Sequence, residues 1–289
     1  LSAVLEQRKD DFDAKASTWD PAFAGARTQN AVALGYGGTY AEHAVQVNIR
    51  HDKDSLFNAR QTGALAYAYA FSPNWRANVS TGTAFRAPTL EQVYGPYGDA
   101  KLTPETNESH EFGISYAAPE VSFRATLFRN DISNMISSSQ TLTTCSAGFF
   151  CYYNVGQARL QGLTLSGTRT IGAYQVRTSL DMLDPVNSQT GKTLSLRARK
   201  AFTLVIDRRW ASWQLGGEVL AVGERFDNAA NTIVLPGYAL VNLTANVEFG
   251  RDWRLVMRAD NALNVKYEQV GQYPAPGSTL YVGVQWRPK

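Results

Sequence analysis

The sequence lacks the features that would assign it to several common protein classes. It has no run of about 20 consecutive apolar residues, which excludes membrane-spanning helices. Its net charge is only +3 and charged residues make up 18% of the chain, so neither a nucleic-acid binder nor an acidic tail is indicated. Its three histidines are scattered, at His43, His51 and His110. With no nucleophile elbow, phosphate loop or metal-spaced cluster either, the sequence favours a protein that is not an enzyme.

Cysteine is also scarce, because the chain contains only Cys145 and Cys151. The two lie six positions apart in a segment of serine, threonine, glycine and aromatic residues, with no histidine nearby, which makes a metal site a poor interpretation. A small disulfide in an exported loop is expected, because the periplasm and the cell surface are oxidising. Two unpaired thiols are the alternative.

Alternation of apolar and polar residues runs through almost the whole chain. Before Phe71, one side of the alternation carries Leu65, Tyr67 and Tyr69, whereas the other carries alanine and threonine. Successive side chains of a β-strand point to opposite faces, so one face of this strand is apolar and the other is small or polar. That pattern is typical of a transmembrane β-barrel, with lipid outside and water or protein inside.

The alternation predicts fourteen strands, and ten or more of them are long enough to cross a membrane, which takes about 9–11 residues. Short turns alternate with long loops such as 10–26 and 87–104, as in outer-membrane barrels, whose long loops lie outside the cell. No segment has convincing helical periodicity. The predicted strands are 1–9, 27–39, 43–52, 59–71, 75–86, 105–117, 120–130, 153–170, 173–183, 193–208, 213–222, 238–249, 253–260 and 277–286.

Aromatic residues recur beside the short turns, among them Trp75, Trp210 and Trp253. Their rings favour the membrane–water boundary and predict an aromatic girdle, although turns of soluble sandwiches carry aromatic residues too. The opposite faces are charged, which argues against a sandwich. The charged residues predicted to face inward are Arg76, Arg86, Arg124, Arg177, Arg254, Arg258, Glu248 and Asp260.

Four segments, in order along the chain, carry recognisable motifs. The first contains Phe85-Arg-Ala-Pro88 and Leu102-Thr-Pro-Glu105, and the others are Phe128–Ile136, Tyr153–Gly162 and Asp260–Tyr267. Together they resemble the motifs of TonB-dependent outer-membrane receptors. The family-motif positions carried over onto this sequence are Arg86, Pro88, Glu105 and Asn261.

The resemblance implies an all-β, antiparallel transmembrane β-barrel, of which residues 1–289 match the C-terminal fourteen of about 22 strands. The N-terminal plug and first strands are absent, and because the chain starts with Leu1 inside an alternating run, we expect a fragment or a processed product. The implied partners are outer-membrane lipid and lipopolysaccharide, a TonB-type energy-coupling protein acting through the missing plug, and the transported ligand. A monomer is expected.

Within that family, the Tyr94–Gly98, Tyr153–Arg159 and Leu194–Lys200 segments most resemble receptors for cobalamin (vitamin B12). The resemblance implies energy-coupled uptake of this ligand through contacts at the extracellular rim, led by Arg197. By alternation, Arg197 and Arg199 are expected to share one face, towards the lumen. The predicted substrate-binding residues are Arg197, Arg199, Tyr94, Tyr97, Tyr153, Phe226 and Tyr273.

Several alternatives stay open. A receptor for a siderophore or another metal chelate shares most of the motifs, and a passive porin-like channel or a barrel-embedded hydrolase belongs to a different class. No cofactor is expected, and Ca²⁺ would bind only through the missing N-terminal loops. The acidic residues Asp10, Asp11, Asp13 and Asp20 are interpreted as a solvated loop.

Overall fold

The computed structural model describes residues 1–18, 20–139 and 151–288. Its main element is an antiparallel sheet of fourteen strands, in which each strand pairs with its neighbours along the chain. The strands are β1 (Ser2–Ala14), β2 (Phe23–Tyr40), β3 (His43–Asp54), β4 (Asn58–Tyr69), β5 (Trp75–Arg86), β6 (Glu105–Ala118), β7 (Val121–Ser139), β8 (Cys151–Ile171), β9 (Tyr174–Asn187), β10 (Lys200–Trp210), β11 (Trp213–Val222), β14 (Tyr238–Phe249), β15 (Trp253–Asp260) and β18 (Thr279–Trp286).

Smaller elements occupy the long loops. A five-residue helix, α1 (Leu90–Tyr94), lies between β5 and β6. Two short hairpins complete the chain, β12 (Arg225–Phe226) with β13 (Val234–Leu235) and β16 (Glu268–Val270) with β17 (Tyr273–Pro274). Among the described residues, no helix is both long enough and apolar enough to cross a membrane.

The strand register places the apolar residues of neighbouring strands side by side on one face. Val79 of β5 pairs with Phe112 of β6, Phe112 pairs with Leu127 of β7, and Leu127 pairs with Leu163 of β8. Val79 is 50% exposed and Leu127 is 54% exposed, so this face is not packed against other parts of the described chain. Such a row of exposed apolar side chains is the surface that lipid covers in a transmembrane barrel.

The opposite face carries polar and charged side chains that contact one another across strands. Arg177 of β9 donates to Asp207 of β10, with 2.6 Å between Nη2 and Oδ2. Asn242 of β14 donates to Glu218 of β11, with 2.7 Å between Nδ2 and Oε2. The sequence-based prediction of an antiparallel all-β sheet with one apolar and one polar face is therefore confirmed.

The sheet is open rather than closed into a cylinder. Its order runs from β1 at one edge to β18 at the other, and these two strands do not pair with each other. Both edges consequently present unpaired backbone groups, which in a complete barrel are paired with further strands.

Five predicted boundaries were wrong by four residues or more, at the ends of β1, β7 and β9 and at the starts of β2 and β10. β1 extends to Ala14 and β2 begins at Phe23, so Asp10, Asp11 and Asp13 lie in a strand rather than in a loop. The cause is pairing across the strands, which continues beyond the apolar alternation into the charged ends. The segment 193–199 is not in the main sheet, because β10 begins only at Lys200.

The short helix α1 was not predicted, because five residues are too few to show helical periodicity. Its local signal is a capping box, in which the Thr89 hydroxyl accepts a hydrogen bond from the Gln92 amide and the Gln92 side chain accepts one from the Thr89 amide. Two residues of the helix, Leu90 and Val93, are buried. The helix therefore fixes the loop that follows β5.

Candidate functional site

The candidate site lies at the long-loop end of the sheet, where a small apolar core sits. Met135 of β7, Val155 and Ala158 of β8, and Leu194 of the loop before β10 are buried together, and Tyr153 packs against them. Ala158 is only 2% exposed and Leu194 is 6% exposed. Loops outside the membrane face water and must bury their own apolar residues, so this core joins the strand ends to the 188–199 loop.

Two of the family-motif residues form an ion pair beside this core. Arg86, the last residue of β5, donates from Nε and Nη2 to the two oxygens of Glu105, at 2.6 and 2.9 Å. Glu105, the first residue of β6, also accepts a hydrogen bond from the backbone amide of Ile136 in β7. This bidentate pair ties three successive strands together where the loops begin.

The third motif residue, Pro88, is fully buried. Its carbonyl accepts a hydrogen bond from Nη1 of Arg27 at 2.8 Å, and Nη2 of the same arginine lies 3.0 Å from Oδ2 of Asp10. Arg27 thus connects β1 and β2 to the turn that precedes α1. It was not singled out from the sequence, because nothing local to β2 marks an arginine whose partners are 17 and 61 positions away.

Two of the predicted ligand-contacting tyrosines hold the same loop in place. The Tyr94 ring lies over Gly25 of β2, where a Cβ atom would come within 2.5 Å of Tyr94 Cδ2. The Tyr97 hydroxyl donates to Oδ1 of Asp20 at 3.3 Å. Burial, and then the negative charge of Asp20, raise the pKa of Tyr97 above its usual range. The two rings therefore dock the 87–104 loop on the start of β2 and on the β1–β2 connection.

The two arginines of the 193–199 segment do not share a face. Arg197 is half-buried and its pKa is lowered by burial, an effect that the nearby Glu105 carboxylate opposes. Arg199 is exposed and donates to Oδ1 of Asp184 at 3.2 Å. By strand register, Asp184 lies on the same outward face as the apolar row. The expectation of a shared lumenal face was wrong, because the two-residue alternation holds only within a strand and this segment lies outside the sheet.

The remaining three predicted contacts lie in three different places. Tyr153 belongs to the buried rim core described above. Phe226 lies in the β12–β13 hairpin, where its carbonyl accepts a hydrogen bond from the Leu196 amide at 2.7 Å, next to Arg197. Tyr273 is on β17 and is 67% exposed. The structure thus places Phe226 near Arg197, and leaves the Tyr273 ring free of close packing.

Two asparagines fix loops of the rim and were not predicted as part of the site. Asn231 brackets Thr193, accepting from its amide at 2.8 Å and donating to its carbonyl at 2.8 Å. Asn154 accepts from the Thr103 amide at 2.9 Å and donates to the Asn134 carbonyl. Their sequence signal is weak, because an asparagine that bonds a distant backbone looks the same as one that terminates its own turn.

The fourth motif residue, Asn261, is a structural turn residue. It is buried, has a positive φ of 48°, and its side chain bonds both the amide and the carbonyl of Val265 at 2.8 Å. Asparagine tolerates this backbone conformation better than most residues and can bond its own loop. The conformation explains why an asparagine follows the end of β15.

The described residues include one of the two cysteines and the acidic side chains. Cys151 is disulfide-bonded. Cys145 lies outside the described residues, so the predicted pairing stays a prediction. Over residues 1–18, 20–139 and 151–288, no three His, Cys, Asp or Glu side chains come together as a metal-binding group. Asp10, one of the four acidic residues noted from the sequence, forms ion pairs with Arg8 and Arg27.

Comparisons with known proteins agree with this architecture. A family model described as "TonB dependent receptor-like, beta-barrel" matches residues 7–262. The vitamin B12 transporter BtuB of Vibrio vulnificus is 30% identical over 241 residues, which cover 82% of this chain and 38% of the relative. The chain spans about two fifths of the length of the curated relatives that it matches.

Solved structures share the fold at lower sequence identity. A mutant of the ferric enterobactin receptor PfeA from Pseudomonas aeruginosa has a TM-score of 0.75 and is 18% identical, covering 91% of this chain and 45% of that one. The copper transporter OprC has a TM-score of 0.75 and is 15% identical, covering 92% and 48%. At these identities the likeness concerns the fold alone.

Proposed function

The chain belongs to the TonB-dependent receptor β-barrel family of the bacterial outer membrane, and we propose that it is the C-terminal part of a receptor for the energy-coupled uptake of cobalamin. The family consists of transport receptors rather than enzymes. The coupling itself requires a plug, which we assign to the part of the receptor that this chain does not cover, and an inner-membrane partner protein that acts through that plug.

The observation that carries the proposal is the position of Arg197. Its guanidinium is half-buried at the rim near the Glu105 carboxylate, and its hydrogen bond within the described part of the chain is a long one, with 3.5 Å between Nη1 and the Ser195 carbonyl oxygen. A cation held in a low-dielectric position with spare donors suits a ligand that brings a phosphate or several carbonyl oxygens. Cobalamin offers both, through its nucleotide phosphate and its amide side chains.

The surrounding loops are held in a way that suits capture of a large ligand. The 87–104 loop is docked through Arg27, Tyr94 and Tyr97, and the 188–199 loop is held by Leu194 in the rim core and by Asn231. Loops fixed in advance lose less conformational entropy when a ligand binds. The sequence identity to vitamin B12 transporters favours cobalamin over other chelates as that ligand.

The runner-up is a receptor for a siderophore or another metal chelate, since the ferric enterobactin and copper receptors share the fold. A half-buried arginine at the rim would also suit an anionic iron chelate. The two proposals differ in the ligand and agree on the site.

The test is a binding assay on the complete receptor, comparing cyanocobalamin with ferric enterobactin. We expect saturable cyanocobalamin binding that Arg197→Ala weakens about tenfold, which is the usual cost of losing one charge-assisted hydrogen bond. The matched control is Arg209→Ala, at the short-turn end of β10, and it should leave binding unchanged. Tight binding of ferric enterobactin without saturable cyanocobalamin binding would overturn the choice of ligand, and unchanged binding by Arg197→Ala would remove this residue from the site.

A further inference from the structure

The β12–β13 hairpin of the rim holds a buried cation at its base. Arg225 is only 7% exposed, and its hydrogen bonds within the described part of the chain go to backbone carbonyls rather than to a carboxylate. Its Nη2 donates to the Glu268 carbonyl at 2.6 Å, and its Nε donates to the Gln269 carbonyl at 3.3 Å. A buried cation is costly unless hydrogen bonds compensate it, so these contacts fix Arg225 on the backbone of the β16–β17 hairpin.

A second contact between the two hairpins lies two residues further along the chain. Oδ1 of Asp227 accepts a hydrogen bond from the Gly271 amide at 2.9 Å. The approach leaves no room for a side chain at Gly271, where a Cβ atom would come within 2.7 Å of Asp227 Oδ2. Arg225 and Asp227 thus hold the β16–β17 hairpin by two carbonyls and one amide, and the exposed Tyr273 belongs to that hairpin.

The β12–β13 hairpin also holds the segment that leads to Arg197. The carbonyl of Phe226, which stands between the two gripping residues in the sequence, accepts a hydrogen bond from the Leu196 amide at 2.7 Å. Asn231, in the turn of the same hairpin, bonds both the amide and the carbonyl of Thr193 at 2.8 Å. The hairpin therefore connects the 261–276 loop to the 188–199 loop.

The contact with Phe226 holds Leu196 in an unfavourable backbone conformation. Leu196 has a positive φ of 59°, which is costly for a leucine and persists only where neighbouring contacts enforce it. Arg197 follows directly in the chain. A change of backbone conformation at Leu196 would therefore redirect the Arg197 guanidinium.

We propose that Arg225 is a positioning residue for ligand binding, which transmits the position of the β16–β17 hairpin to Leu196 and so sets where the Arg197 guanidinium lies. The path is continuous, from the carbonyls of the β16–β17 hairpin through Arg225 and Phe226 to the Leu196 amide. Ligand contacts on the two loops are then energetically coupled. The role of Arg197 in this inference rests on the proposed function, whereas the link between the two loops does not.

The first test perturbs the far loop and needs no ligand. Gly271→Ala pushes on Asp227, so hydrogen exchange of the Leu196 amide in the complete receptor should become about fivefold faster, the lower end of coupling between sites. Gly277→Ala is the matched control, because its Cβ would come within 2.6 Å of Asn264 Oδ1, a neighbour inside the same loop. Unchanged exchange at Leu196 in Gly271→Ala, or an equal increase in Gly277→Ala, would overturn the inference.

The second test asks whether Arg225 acts through Arg197. Arg225→Met removes the grip but keeps a long apolar side chain, and it should weaken cyanocobalamin binding to the complete receptor about fivefold. Added to Arg197→Ala, it should cause no further loss, because the position of a guanidinium that is absent no longer matters. Glu224→Gln changes an exposed neighbour of Arg225 and should leave binding unchanged.

The outcomes of the two tests separate this inference from the choice of ligand. A loss of the same size from Arg225→Met with and without Arg197 would show a purely structural role and overturn the positioning role. If the natural receptor binds no cyanocobalamin, the proposed ligand is wrong, and the exchange measurement at Leu196 still decides whether the two loops are linked.

Discussion

Apolar side chains are exposed at one end of the sheet and buried at the other. At the short-turn end, Trp210 is 62% exposed and Trp253 is 46% exposed, and the Trp253 ring stacks on Phe249 with 6.3 Å between centroids. At the long-loop end, Met135 and Leu194 are almost inaccessible. Lipid solvates the apolar side chains of the wall, whereas the chain must build its own core where the loops rise into water.

The comparison explains why one molecule contains two kinds of sequence pattern. A wall that faces lipid needs only an apolar residue at every second position, because the strand register then aligns these residues on one face. The rim depends on contacts between residues far apart in the chain, such as Arg27 with Pro88 and Asn231 with Thr193. Substitutions at the rim and in the wall should therefore have different effects on stability.

Leu194→Ala should lower the free energy of unfolding by about 3 kcal/mol, because it opens a cavity in the rim core. Leu127→Ala, in the outward row, should cost less than half as much, since lipid can fill the space of the lost side chain. The measurement is guanidinium unfolding of the complete receptor refolded into vesicles. Equal costs at the two positions would mean that the rim and the wall do not differ in packing.

Leu127→Arg should make folding into a bilayer less favourable by about 2 kcal/mol or more, the usual cost of a lipid-facing cation away from the interface. Thr126→Arg places the same charge one residue away, on the polar face, and should cost far less. Both variants are compared by the same unfolding measurement. A larger loss from Thr126→Arg would reverse the assignment of the two faces.

Glu105→Gln should cost about 1–2 kcal/mol, because it weakens the pair with Arg86 and the contact with the Ile136 amide. The control is Asp207→Asn, which weakens a pair on the lumenal wall and should cost less than about 1 kcal/mol, as exposed pairs do. Limited proteolysis of the 87–104 loop provides a second readout, and cleavage should become faster only in Glu105→Gln. Unchanged cleavage together with an unchanged unfolding curve would argue against a bracing role for the pair.

The wall could be predicted from the sequence almost completely, because period-two alternation determines both the strands and their faces. All fourteen strands of the sheet lie where the alternation indicated them, with shifts at their ends. The long apolar row through Val79, Phe112 and Leu127 follows directly from that register. In the wall, the alternation within each strand and the pairing between neighbouring strands therefore assign each side chain to the same face.

The rim could be predicted only in part. The motif resemblance indicated Arg86, Pro88 and Glu105, but not that they brace the strand ends. Alternation failed at Arg197 and Arg199, because the backbone there leaves the sheet and Leu196 adopts a positive φ of 59°. Contacts of loop residues depend on chain segments that are distant in sequence, so no local pattern reveals them.

The central claim is that the apolar face of these strands touches lipid and the polar face lines the interior. Nitroxide labels placed one at a time along β7, from Phe123 to Asn130, test it in the complete receptor with Cys145 and Cys151 replaced by serine. We expect labels at Ala125 and Leu127 to collide mainly with oxygen dissolved in the bilayer, and labels at Arg124 and Thr126 to collide mainly with a water-soluble nickel chelate. Loss of this two-residue alternation, or its reversal, would contradict the account.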